Sequence, residues 1–222
     1  MSMKQILFNT EMVRAILDGR KSCTRRVIKF PVNRYTNNVP LADKVVVQEL
    51  RCDKVNFLEE PFFSYGMNLP YQPGDILYVR ETWQYLYELD GNEQVIEDTG
   101  KYYYAATDTI PFNTYVDENG VRHDHAPWRP SIHMPKEAAR IWLKVTNVRV
   151  ERLQKITTNQ IEQEGVETEY PHVLNGEENK YAFQNLWNST IKKSDLDFYG
   201  WDANPWVWVI EFERCEKPGS EV

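Results

Sequence analysis

The stretch Gly19-Arg20-Lys21-Ser22-Cys23-Thr24-Arg25-Arg26 decides how the rest of this 222-residue chain is read. It follows a segment in which Met12, Val13, Ile16 and Leu17 recur at helical spacing, with Asn9 or Thr10 placed to cap the start. Gly19 suits the left-handed residue that closes such a helix, and the cations behind it suit the negative end of the helix dipole. Just past the helix end, the loop sets a lysine, a hydroxyl and a second cation close together: Lys21, Thr24 and Arg26. A threonine hydroxyl is a poor nucleophile until a base takes its proton. Lys21 can be that base if burial or a neighbouring cation (Arg20, Arg25 or Arg26) lowers its pKa. On composition alone, the same residues read as a capped helix end followed by solvated cations.

Charge sharpens the contrast between this strip and the rest of the chain. The net charge is −7, which argues against a protein that coats nucleic acid through bulk electrostatics. Between Arg14 and Arg34, however, seven basic residues face one acid, Asp18. A basic strip on an acidic body fits selective capture of a phosphate or small anionic group. A hydrophobic fraction of 41%, with 13% aromatics, is enough for a core. No apolar run approaches the ~18 residues of a membrane span, and the polar N-terminus is no signal peptide. Cys23, Cys52 and Cys215 are far apart and form no CxxC pair, so a cytoplasmic protein without membrane attachment is expected.

Working outward, Lys44-Val45-Val46-Val47-Gln48 is strand-like, and Pro73-Gly74-Asp75 is a turn leading into one predicted strand, Ile76 to Trp83. Residues 84 to 135 read as an insertion, punctuated by Gly91-Asn92, Asn119-Gly120 and several prolines, with a strand at Lys101–Ala105. Ala139 to Leu153 is a long β run whose alternation breaks near Asn147. Thr157-Thr158-Asn159-Gln160 is a capping box opening a helix that Gly165 closes. A second helix is predicted from Lys180 to Lys192, with Phe183, Leu186, Trp187 and Ile191 as its apolar stripe. Asn204-Pro205 starts a last strand with Trp206, Trp208, Ile210 and Phe212 on one face. Strands this far apart in sequence favour a mixed α+β fold on a small curved or closed sheet over a Rossmann pattern.

Three further groups could carry chemistry. Glu162 and Glu164 sit in the last turn before Gly165, where a carboxylate has the wrong sign for the dipole. Arg80-Glu81 lies near the end of the Ile76–Trp83 run, as a structural ion pair or as a pocket wall. Among the tryptophans, Trp83 at a strand end and Trp128 in a loop, beside Arg129, are the candidates for stacking on a base; Trp206 and Trp208 read as core. His123, His125 and His133 lack helical ligand spacing, so neither a metal nor another cofactor is expected.

The run from Ile16 to Arg26 resembles the signature loop of the ASCH domain family, a PUA-like β-barrel, and Pro73 to Trp83 resembles that family's following strand. Trp128–Pro135 and Asn204–Trp208 are similar to the longer ASCH proteins of bacteriophages and prophages. The likeness covers residues 3–29, 71–83, 126–166 and 180–214. It implies one α+β domain over 1–222, a small barrel with flanking helices and two insertions, at about 30–70 and 84–125. Within the superfamily, small bacterial N4-acetylcytidine amidohydrolases use a Lys, a Thr and a Glu, which the resemblance carries onto Lys21, Thr24 and Glu164. It then implies metal-independent hydrolysis of an amide on a modified nucleoside such as N4-acetylcytidine. Thr24 or a water is the nucleophile, and Arg26, Arg25, Arg80, Glu81, Trp83, Trp128 and Arg129 contact the substrate. The alternatives are a non-catalytic module binding RNA or a modified base, and a ribonuclease.

Overall fold

In a computed structural model, residues 3–29, 45–50, 54–59, 63–88, 90, 92, 94, 96–110, 115–116, 122–123, 127–168 and 177–219 are described. Cys52, the Asn119-Gly120 turn and His125 lie outside them. In chain order the elements are β1 (Met3–Leu7), α1 (Thr10–Leu17), β2 (Cys23–Val27), β3 (Val45–Leu50), β4 (Lys54–Glu59), β5 (Phe63–Asn68) and β6 (Ile76–Arg80). Then come β7 (Trp83–Leu86), β8 (Lys101–Tyr104), β9 (Tyr115–Val116), β10 (Arg122–His123) and β11 (Trp142–Arg152). The chain continues through α2 (Thr158–Gln163), α3 (Glu177–Thr190), α4 (Leu196–Tyr199) and β12 (Trp206–Cys215).

The class is mixed α+β. Five strands form one sheet in the order β1-β6-β11-β12-β2, and no pair among the described residues joins β1 to β2. A β3-β4-β5 sheet and the pairs β7–β8 and β9–β10 hold the remaining strands. Among the described residues no helix is long and apolar enough to cross a membrane. The chain divides into two compact units, one of Gly19–Asp75 and Lys144–Glu213, the other of Met3–Asp18, Ile76–Leu143 and Arg214–Val222.

In the first unit β12 runs antiparallel to β2, with Trp208 opposite Arg26, Val209 opposite Arg25 and Ile210 opposite Thr24. The sequence predicts one core face for β12, that of Trp206, Trp208, Ile210 and Phe212, of which Trp206 is only half-buried. The structure buries both, because Val207 and Val209 on the other face are fully enclosed. They pack with Cys23, Leu153, Ile156, Ile161, Phe183, Trp187 and Trp201, so α2 and α3 contribute directly to that core. The capping box forms as predicted: Gln160 N donates to Thr157 Oγ1, and Thr157 N donates to Gln160 Oε1. The following helix starts at Glu177 and ends at Thr190, earlier at both ends than its apolar stripe suggests. In β11 the exposed pair Thr146-Asn147 breaks the alternation where the sequence does.

In the second unit Asn9 caps α1 by accepting from Met12 N at 2.9 Å, and Val13, Ala15 and Ile16 are buried. The predicted single strand from Ile76 to Trp83 is instead two. β6 pairs in parallel with β1, the chain breaks at Glu81-Thr82, and β7 leaves to pair with β8. The break follows from Glu81, whose carboxylate turns to Arg140 and whose N–H points to Met134 sulfur at 3.1 Å. Trp83 then joins a core of Ile76, Met134, Ala138, Ala139 and Trp142, with Tyr85, Tyr102 and Tyr104 packed against it.

Candidate functional site

Two glycines frame the site in the first unit. Gly19 and Gly165 have φ of +75° and +77°, so each closes its helix in the left-handed region. The loop after Gly19 pairs with the end of α2 through an antiparallel bridge between Lys21 and Glu164, and Ser22 N donates to Gln163 O at 2.9 Å. This backbone pairing brings a lysine against a carboxylate that stands at the wrong end of its own helix dipole.

The expectation of solvated cations is overturned for Lys21 and Arg25, while Arg26 stays exposed. Lys21 is 4% exposed, Arg25 3% and Glu164 5%. Lys21 Nζ donates to Glu164 Oε2 at 2.8 Å, to Glu164 O at 2.9 Å and to Cys23 O at 2.7 Å. Arg25 Nη1 donates to the other carboxylate oxygen, Oε1, at 3.0 Å. Glu164, the C-cap of α2, thus carries a cation on each oxygen, and these offset the unfavourable dipole. Burial lowers the pKa of Lys21; the Glu164 charge opposes that shift and Arg26 adds to it. Burial, reinforced by Glu164, pushes the Cys23 thiol up to about 12.

Arg25 is anchored from behind. Its Nη2 donates to Gln160 Oε1 at 3.0 Å and to Glu151 Oε2 at 3.4 Å. Glu151 in turn accepts from Arg149 Nε at 2.5 Å, and Arg149 also bonds Glu211. Charges therefore alternate in sign from Lys21 through Glu164, Arg25, Glu151 and Arg149 to Glu211. Glu151, Arg149 and Glu211 escape the sequence reading, and Gln160 enters it only as part of the capping box. The spacing of Arg149 and Glu151, two apart on a strand and so on one face, is the signal that could have found them.

No family model, characterised protein or solved structure matches the chain.

Thr24 is brought near but faced away. Within β2, alternate residues point to opposite faces, so Cys23 and Arg25 share the Glu164 face while Thr24 and Arg26 share the other. Thr24 is 2% exposed and its Oγ1 accepts from Arg26 Nη1 at 3.1 Å. Arg26 keeps solvent-accessible surface, yet the protein around it desolvates its charge and lowers its pKa, against the pull of Glu164 and Tyr71. Of the predicted catalytic trio, Lys21 and Glu164 are in direct contact, and Thr24 stands on the reverse of the same strand.

Arg80, Glu81, Trp83, Trp128 and Arg129 belong to the second unit. Arg80 and Glu81 do not form the ion pair considered from sequence. Glu81, 1% exposed, takes Arg140 on both oxygens at 2.9 Å, while Arg80 donates to Gln5 at 2.6 Å and to Ile132 O. Trp83 is 5% exposed; its backbone pairs with that of Arg129, whose guanidinium lies 5.3 Å from the centre of its ring. Its indole Nε1 is buried with no hydrogen-bond partner. Trp128 is half-buried. Among the described residues, no group of three or more His, Cys, Asp and Glu side chains is placed to hold a metal ion.

Proposed function

We propose that the chain is a metal-independent amidohydrolase of the ASCH type, on a PUA-like barrel, removing the acyl group from a modified nucleoside such as N4-acetylcytidine. The observation that carries this reading is the buried contact of Lys21 Nζ with Glu164 Oε2 at 2.8 Å. Amide hydrolysis needs a base for the nucleophile and an acid for the departing amine, and a lysine of lowered pKa beside a carboxylate supplies that pair. Lys21, once neutral, takes a proton from a water, or from Thr24 once its hydroxyl leaves Arg26 and turns to the Glu164 face. The resulting oxygen adds to the acyl carbon, and the C–N bond breaks as the proton collected by Lys21 is relayed through Glu164 Oε2 to the exocyclic nitrogen, which leaves Lys21 neutral and Glu164 ionised again. Attack by Thr24 leaves an ester that a water hydrolyses; attack by water gives the carboxylic acid directly. Arg26, accessible and cationic, faces the developing oxyanion. Incubation of the protein with N4-acetylcytidine tests the reading: cytidine release, lost in Lys21→Ala, is expected. No cytidine, or equal turnover by that variant, overturns it.

A second reading, a module that binds RNA or a modified base without turnover, is favoured by one feature. Thr24 is held by the accessible Arg26 on the face away from Lys21. It predicts salt-sensitive RNA binding that Arg26→Ala weakens and Thr24→Val leaves intact.

A further inference from the structure

We propose that Arg25 is a positioning residue: as the permanent counter-ion on Glu164 Oε1, it releases Lys21, on Oε2, to give up its proton. The proposal rests on the reading of Lys21 as the base of the site.

Charge balance away from bulk solvent decides which group gives up its proton. The side chains of Lys21 and Arg25 are each 1% exposed and that of Glu164 6%, so two cations share one anion. The neighbouring charges on the same face are more open to solvent: Glu151 is 20% exposed, Arg149 25% and Glu211 34%. Glu151, Arg149 and Glu211 together carry one negative charge, but it is shared around Arg149 and screened by the solvent these side chains reach, so it offsets the buried trio weakly. The Cys23 thiol stays neutral, and Arg26, across β2, adds a further positive charge. The buried trio therefore has one proton too many. An arginine does not give up its proton in a protein, so only Lys21 can shed it. Neutral Lys21 leaves a balanced Arg25–Glu164 pair, joined at 3.0 Å.

Geometry keeps Arg25 in that role. Gln160 Oε1 and Glu151 Oε2 fix Nη2, so the guanidinium fork meets Glu164 with its remaining arm at a set angle. Gln160 is itself tied to the start of α2 by Thr157 N, so the helix that carries Glu164 also carries the anchor of its counter-ion. Without Arg25, Glu164 would have Lys21 as its sole buried cation, beside the neutral Cys23 thiol at 3.9 Å, and would hold it protonated.

Direct titration of Lys21 tests this apart from any activity. In protein labelled at the lysine side-chain carbons and nitrogens, with Lys21→Arg used to assign its signal, the Lys21 midpoint is compared in wild type, Arg25→Met and Arg25→Lys. Loss of the cation is expected to raise the midpoint by about one to three units, the range for one close charge, with a smaller rise in Arg25→Lys. An unchanged or lower midpoint in folded Arg25→Met overturns the proposal. Should Arg25→Met not fold, Gln160→Leu, which frees one arm of Arg25, is expected to raise the midpoint in the same sense, and no rise overturns it. In an active enzyme, the acid limb of kcat moves to higher pH in Arg25→Met while KM changes little. Absence of deacylation with the midpoint shift present removes the hydrolase reading alone; deacylation without the shift removes only the role of Arg25.

Discussion

Lys21 Nζ donates to Glu164 Oε2 at 2.8 Å although 143 residues separate the two in sequence. Each of the two lies close to a glycine at positive φ, Gly19 before Lys21 and Gly165 after Glu164. The position of their contact is poor for stability and good for proton transfer, since burial works against the cation and the helix C-terminus works against the anion.

Removing the anion should show that cost. Glu164→Gln leaves Lys21 buried without a counter-charge and Arg25 with only the longer contact to Glu151, and is expected to lower stability by about 3–5 kcal/mol in chemical denaturation. The triple variant Lys21→Met, Arg25→Met and Glu164→Leu removes all three charges and is expected to recover most of that loss. Turnover should be absent from both. A Glu164→Gln protein of wild-type stability would show that the contact is not held in solution.

The Cys23 thiol offers a probe of the same enclosure. At about pH 8 the native protein should leave Cys23 unmodified by iodoacetamide while the more accessible Cys215 reacts, as peptide mass spectrometry can read. The thiol pKa rises from 9.0 to about 12 on folding, so its contribution to stability is complete below pH 9.0 and is lost as pH climbs towards 12. Lys21 runs the other way: its folded pKa lies below 10.5, so the burial penalty on its cation is relieved as pH rises through the folded value towards 10.5. Comparison of denaturation midpoints of wild type and Cys23→Ala above pH 9 should show the gap between them narrowing.

Packing beneath α2 should matter to the site as well as to the fold. Ile161 is 2% exposed in the core of the first unit, one turn from Glu164. Ile161→Ala is expected to cost about 2–5 kcal/mol and to raise hydrogen exchange at the end of α2. Thr157→Ala, which removes the cap alone, should cost about 0.5–2 kcal/mol, so the order of the two is itself a check.

In the second unit Arg140 is the partner that Glu81 requires. Its guanidinium bridges both oxygens of Glu81 and lies 3.9 Å from the centre of the Tyr104 ring. Arg140→Met is expected to cost about 3–5 kcal/mol in thermal or chemical unfolding, because it strands a buried carboxylate. Arg80→Met, which leaves Glu81 and Arg140 paired, should cost far less. The reverse order would restore the Arg80–Glu81 pairing considered from sequence.

What the sequence determined by itself was local. The Asn9 cap, the Thr157–Gln160 box and the closing glycines at 19 and 165 were legible because each depends on residues within three or four positions. The mixed α+β class followed from where the strand-like runs fell, and the misplaced acid Glu164 was visible from its place in the last turn before Gly165. The tertiary structure alone decided who meets whom. A strand's side chains change face with every residue, so which of Lys21, Thr24 and Arg25 looks at Glu164 depends on how β2 pairs with β12, and no local pattern records that register. The same holds for Glu81, which took Arg140 rather than the adjacent Arg80, and for the Ile76–Trp83 run, which split where Glu81 turned to Arg140, leaving Trp83 to pair with β8. Charge and spacing named the residues of the candidate site; the sheet decided which of them touch.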